Sequence, residues 1–261
     1  MHYKKRFFFN KVTLGIFYHI GRYTMMLLSM FTKPEKLSVY WTRLMEEMVQ
    51  LGVKSLGIVI LMSAFMGAVI VIQSATAIDA AWIPDYTVGF TAKQSIILEF
   101  SPTIMSLILA GKVGSNIASE LGSMRVTEQI DALEIMGINT KAYLIRPKII
   151  AAVLIFPAVI IFSMAFGFGG GWMAAFGTGL IPEEQYIFGI QSFYDDNLWM
   201  ITYALIKATV FAFIITSVSS YHGYYTSGGA LEVGRSSTNA VVYSSVLILL
   251  ANLLLTQLLL I

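Results

Sequence analysis

Two ionisable side chains stand where the surrounding sequence is almost entirely apolar. Glu99 lies within QSIILEFSPTIMSLILAG, and Lys207 within LWMITYALIKATVFAFIITSV. A charge at the centre of a bilayer costs about 2.5–3.5 kcal/mol on insertion scales, so such residues face a cavity or one another. Each sits roughly nine residues in from the outer end of its run, about 13 Å of helix. Their depths match, and a Glu99–Lys207 pair is expected. At that depth Lys207 does not easily reach the surface by snorkelling. Pro102 lacks an amide hydrogen and frees a backbone carbonyl near Glu99. Glu99, Lys207 and Pro102 mark a candidate substrate cavity, with a simple kink of the helix the other reading of Pro102. Read alone, Glu99 also suits proton carriage, as in an ion-coupled secondary transporter or a channel.

Other reactive chemistry is scarce. His2, His19 and His222 show no ligand spacing, so no metal site is assigned. The serine-rich TSGGALEVGRSST has no nucleophile–base arrangement. A phosphate-cradling loop needs the form GxxxxGK[ST]. The nearest approach, LAGKVGS, has Val113 where Ser or Thr is required and Ser106 where the first glycine belongs. The chain is read as carrying no cofactor and no hydrolase activity of its own. A lipid-modifying enzyme would need a clustered acid, base or metal site, and none is evident.

The elements that position Glu99 and Lys207 follow from composition. Of 261 residues, 57% are hydrophobic and 12% charged, and mean hydropathy is +0.74. Several apolar windows exceed the ~18 residues that cross a bilayer core. A barrel would show alternating segments of about ten residues instead. The fold class is an all-α integral membrane protein with about five spans, at 53–75, 90–111, 149–176, 198–219 and 239–261. The net charge of +2 is too small to argue for nucleic acid, and there are no cysteines. No cleavable signal is evident at MHYKKRFFFNK.

Charge sets the orientation. Residues 1–54 hold nine of the seventeen Lys and Arg, including Lys4, Lys5, Arg6, Lys11 and Arg22. The connection at 112–148 adds Lys112, Arg125, Lys141, Arg146 and Lys148, and that at 220–238 adds Arg235. The other two connections carry Asp79 and Asp85, then Glu183, Glu184, Asp195 and Asp196, with no basic residue. Basic loops favour the cytoplasm, so the N-terminus is expected inside and the C-terminus outside. Residues 1–52 form an N-terminal interfacial region. In EKLSVYWTRLMEEMVQLG, Leu37, Trp41, Leu44, Met48 and Leu51 repeat at helical spacing, as in a helix lying on the membrane. LGIFYHIGRYTMMLLSMF, interrupted by His19 and Arg22, is read as interfacial too. The membrane-spanning remainder is 53–261.

The third span is long: 28 residues of helix reach about 42 Å, so it must tilt, break or project. Pro157 and GFGGG offer places to bend. Gly167, Gly171, Ala175 and Gly179 recur every four residues, a smooth strip for close helix approach. Ordinary packing and a pathway-lining hinge both fit that strip.

Between spans two and three lies GSMRVTEQIDALEIMGI, residues 122–138. On a helix, Val126, Ile130, Leu133 and Met136 share one face, while Glu128 and Asp131 point away and Glu134 flanks. Ser123 or Thr127 is expected as N-cap, and Gly137 as the left-handed residue that ends the helix. Asn139 and Pro147 keep it from continuing. An interfacial helix on lipid is one reading. It leaves three carboxylates beside a membrane surface that is itself usually anionic, so a basic protein partner is the other.

The run ELGSMRVTEQIDALEIMGINTKAYLIRPKIIA resembles the signature of the MlaE/YrbE permease family, and GGALEVGRSSTNAVV resembles its closing motif. Ser236 and Ser237 stand where threonines are more usual. The likeness covers most of the chain. It implies a permease subunit of an ABC transporter that moves phospholipids in a bacterial inner membrane. It further implies a homodimer, an ABC ATPase dimer inside and an MCE-domain substrate-binding assembly outside. Residues 122–138 become a coupling helix, with Arg125, Glu128, Asp131, Glu134 and Gly137 at the ATPase. From the sequence, the acidic face meets that partner and the apolar face holds the helix to its own subunit. The lack of a transit peptide points away from a chloroplast relative.

Overall fold

A computed structural model describes residues 17–31, 37–78, 83–192 and 194–260, without the side chains of 37, 38, 194–197 and 260. Lys4, Lys5, Arg6, Lys11 and Asp79 lie outside the described residues, as do the side chains of Leu37, Asp195 and Asp196. Every regular element among the described residues is a helix. Five runs are long and apolar enough to cross a membrane: Val39–Ala77, Tyr86–Val126, Lys141–Thr178, Leu198–Tyr224 and Ala230–Leu259. The expected five spans are all present, each longer than the hydropathy windows suggested.

Helix α1 covers residues 17–29. Then α2, Leu37–Met48, passes through a π-helical turn at Val49–Val53 into α3, Lys54–Ala77. The expected interfacial helix is thus continuous with the first span, in a run of 39 residues that reaches about 58 Å. Position 52, where the sequence reading ended the interfacial region, falls inside the run. Gly52 does not break the helix. A side chain there would strike Ile155, so the glycine serves close packing against a neighbouring helix.

The second run is α4 (Tyr86–Ser95), a π-helical stretch (Ile96–Ile104), α5 (Met105–Leu109), a second π-helical turn (Ala110–Gly114) and α6 (Ser115–Val126). The short α7, Gln129–Ile135, follows. A π-helical turn at Lys141–Ile145 then leads into α8, Arg146–Thr178. Neither Pro157 nor the glycine run interrupts α8; it ends at Gly179, with φ 64°. Next come α9 (Glu183–Gln191), α10 (Tyr194–Tyr224) and α11 (Ala230–Leu260).

One end of the bundle carries α1, α7 and the α10–α11 turn; the other carries α9. Met26, Leu109, Ile117, Phe156, Phe211 and Ile215 are fully buried in one core. Leu154, Phe162, Leu249, Leu253 and Leu254 are exposed along the outside, the pattern expected where the solvent is hydrocarbon. At the α7 end Lys148, counted above as a loop cation, is 2% exposed. Its Nζ lies 2.6 Å from Glu47 and 2.8 Å from Glu120, pinning α2, α6 and α8 together.

Candidate functional site

Glu99 and Lys207 meet. Lys207 Nζ donates to Glu99 Oε1 at 2.8 Å and to the carbonyl of Leu98 at 3.0 Å, and it lies 4.4 Å from the centre of the Tyr203 ring. Glu99 Oε2 accepts Thr103 Oγ1 at 3.0 Å and Asn252 Nδ2 at 3.1 Å. The Thr103 hydroxyl is also 3.2 Å from Asn252 Oδ1. The cluster therefore joins α10, α11 and the π-helical stretch. Burial is unequal: the Lys207 side chain is 0% exposed and that of Glu99 44%. The cation is walled in, while the anion opens to the surface of the subunit.

Local backbone chemistry explains how Lys207 is satisfied. An α-helix would pair the Leu98 carbonyl with the amide of residue 102. That residue is Pro102, which has no hydrogen to give. The stretch winds instead as a π-helix, and the Leu98 carbonyl accepts the ammonium. Two members of the cluster were missed in the sequence reading. Thr103 follows Glu99 by four residues, a helical neighbour spacing. Asn252 is an amide within the apolar ANLLLTQLLL, where interhelical hydrogen bonding is the usual reason for a polar side chain.

The short helix differs from expectation in detail. It spans seven residues, and Arg125 belongs to α6 before it. Neither proposed N-cap side chain serves. Thr127 Oγ1 donates back to the Ser123 carbonyl, and Glu128 turns the chain with φ 60°. Gly137 has φ 79° and sits just past the helix, as the sequence implied. Ile130 is fully buried and Leu133 partly so, but Ile135 is 88% and Met136 66% exposed. The apolar residues thus split between an inward anchor and an outward tip.

The carboxylates are mostly committed within the chain. Asp131 pairs with Arg125 at 2.6 Å. Glu134 Oε1 accepts Tyr224 Oη at 2.7 Å and Thr140 Oγ1 at 3.0 Å, tying α7 to the end of α10. Glu128 is exposed and makes neither kind of contact in the described structure. The acidic face is therefore partly braced within the chain, with Glu128 left open to the surface. The Tyr224 hydroxyl holds the Glu134 carboxyl below its ordinary value of 4.5. A depressed folded pKa means the brace is at full strength above that value and is lost as pH falls through the lower folded one. Tyr224→Phe should move the Glu134 titration back up toward 4.5, read by carbon NMR of labelled glutamate.

The small-residue strip on α8 packs against α3. A Cβ on Gly170 would land on the Ala64 carbonyl, and one on Gly67 would land on the Gly167 carbonyl. Gly171 makes room for the Tyr186 hydroxyl and Val71, and Ala175 is buried. The opposing Gly67 and the central role of Gly170 were not read from the sequence.

A family model described as Permease MlaE matches residues 44–258. A probable ABC transporter permease protein of Rickettsia bellii is 34% identical over 255 residues, covering 95% of each chain. The chloroplastic protein trigalactosyldiacylglycerol 1 of Arabidopsis thaliana is 34% identical over 224 residues, 84% of this chain and 62% of that one. The intermembrane phospholipid transport system permease protein MlaE of Haemophilus influenzae is 27% identical over 247 residues, 94% of each. The family match takes in the Glu99–Lys207 cluster, α7 and the α3–α8 packing alike, and the chain belongs to the MlaE permease family.

Proposed function

We propose that this chain is the membrane subunit of an ATP-driven ABC transporter that moves phospholipids between the inner and outer membranes of a bacterium. It works as a homodimer with an ATPase dimer at the α7 end and an MCE-domain partner at the α9 end. The α7 end is cytoplasmic, which puts the N-terminus in the cytoplasm and the C-terminus in the periplasm. Lipid occupies a cavity bordered by Glu99, Lys207 and Pro102. ATP is bound by the partner, and this chain contributes binding, orientation and mechanical response.

The observation that carries the reading is the tie between α7 and α10. Tyr224, held by Glu134, lies on the same helix as Lys207. The two are 17 residues apart, about 25 Å of helix. A displacement of α7 by a closing ATPase is passed through that brace along α10 to the charge cluster. A cluster that grips a headgroup differently in two positions shifts the lipid between high and low affinity. The exposed Ile135 and Met136 supply the knob for a groove on the ATPase.

ATP-dependent transfer of labelled phospholipid by the reconstituted complex tests the function. Transfer that needs a proton gradient and ignores ATP would favour the ion-coupled reading of Glu99. Ile135→Asp should reduce recovery of the ATPase with the purified permease by at least tenfold, since truncated interface anchors cost about 2 kcal/mol or more. Membrane insertion should be unchanged. Glu128→Lys should weaken the complex less.

A further inference from the structure

The closing motif, GGALEVGRSSTNAVV, takes no part in the mechanism above, yet it lines a distinct cavity. This cavity lies at the α7 end, between α1, the end of α10 and the start of α11, and holds about 210 Å³. That is room for about seven waters at ~30 Å³ each, enough for a phosphodiester. His19, Arg22, His222, Ser227, Arg235 and Asn239 reach it from three helices and a turn.

Its charge is lopsided. Glu232 is the acid in the wall, and it is paired with Arg235 at 2.7 Å. Arg22 has no carboxylate partner among the described residues. Its guanidinium lies 3.7 Å from the centre of the Tyr225 ring, a contact that orients the group while leaving its donors open. His19 Nδ1 is fixed 2.6 Å from Tyr221 Oη, and the Thr226–Ser236 hydrogen bond at 2.9 Å closes the floor. A cationic, donor-rich cavity with preset side chains suits a phosphate oxygen set.

The surroundings identify what the phosphate is attached to. His222 stacks on Tyr243 of α11 at 5.2 Å. Tyr243 is exposed, and so are Val242, Val246 and Leu250 beyond it. On the other side α1 exposes Tyr18 and Met25. The polar cavity is thus flanked by exposed apolar residues of α11 and α1, as a headgroup site beside acyl chains would be.

We infer that this cavity binds the phosphate of an anionic membrane phospholipid through Arg22 and Arg235, clamping α1 against α10 and α11. It is separate from the Glu99–Lys207 cluster and lies toward the opposite end of α10. The assignment rests on the proposed cytoplasmic placement of the α7 end, and its test needs neither ATP nor a partner, so it fails separately from the transport reading.

The full chain, reconstituted in phosphatidylcholine vesicles doped with a phosphatidylglycerol bearing a photoreactive headgroup, should be labelled within residues 17–31 and 221–243. Arg22→Gln with Arg235→Gln should cut that labelling by about tenfold. Ser227→Glu, an exposed change that leaves both arginines in place, should do the same by repulsion, while Ile135→Asp should leave labelling intact. Labelling unaffected by both cavity variants overturns the site. Equal labelling by a phosphatidylcholine probe overturns the recognition of anionic charge. Protection by excess inorganic phosphate as strong as by unlabelled phosphatidylglycerol assigns the cavity to a free anion and overturns the lipid.

Discussion

Glu99→Gln is expected to destabilise the folded subunit by about 3–5 kcal/mol, because it strands a wholly buried ammonium without an anion. The Lys207 side chain has no exposed surface through which to recover water. The Leu98 carbonyl and the Tyr203 ring remain, but neither carries a full charge. Lys207→Met should cost less, since the Glu99 side chain is 44% exposed and keeps its bonds from Thr103 and Asn252. The double change removes both ions and should restore most of the loss, giving a large coupling energy in a double-mutant cycle. Denaturant unfolding in detergent micelles measures stability; lipid transfer by the same four proteins measures function. Two independent, additive losses would show that the pair does not act as a unit.

The second large effect falls on the α3–α8 contact. Gly170→Val should abolish accumulation of folded protein, and Gly170→Ala should lower the unfolding temperature sharply. The added Cβ meets the carbonyl of Ala64, which is backbone and cannot rotate aside. Overpacking costs about 1–3 kcal/mol when side chains can adjust, and here they are not the obstacle. Membrane helices associate by close packing without a hydrophobic drive between them, so separating these two forfeits much of what joins them. Gly67→Ala should behave like Gly170→Ala, because its Cβ meets the Gly167 carbonyl. Gly169→Ala is the control: nothing lies within 4 Å of a Cβ there. Thermal unfolding in detergent distinguishes the two outcomes. Equal stability of the Gly169 and Gly170 variants would mean the helices are not in this close contact.

The sequence announced some of this architecture plainly and hid other parts for physical reasons. Apolar runs of bilayer length are long-range signals, so five spans were legible. Glu99 and Lys207 stood out because a charge in hydrocarbon is costly wherever its partner lies, and matched depth suggested the partner. Gly137 was legible from helix-ending chemistry. The continuity of α2 with α3 was not, since the amphipathic pattern stops at Gly52, and only the structure shows Ile155 filling the glycine's vacant side within one unbroken run. The Glu134–Tyr224 brace joins residues 90 apart, and no local pattern encodes such a pairing. Lys148 looked like a surface cation because the two carboxylates that bury it come from other helices. Met136 was placed by periodicity on the face of Ile130 and Leu133, but the helix ends at Ile135, so the residue after it leaves that face and is 66% exposed.

The wide winding at Ile96–Ile104 bears on how this subunit tolerates change in length. A bond closed over five residues carries one surplus residue compared with the ordinary turn. Each residue of α-helix turns the chain by about 100°. The wide turn can give up that surplus by tightening, but excising a single residue from the α-helix beside it, which has none to spare, would swing everything on one side of the cut by roughly a quarter turn. Glu99 would then face away from Asn252 or from Lys207, with the composition of the span almost unaltered. The angular alignment of the charged cluster is thus stored in a count of residues, and a one-codon deletion would erase it while leaving every participating side chain in the protein.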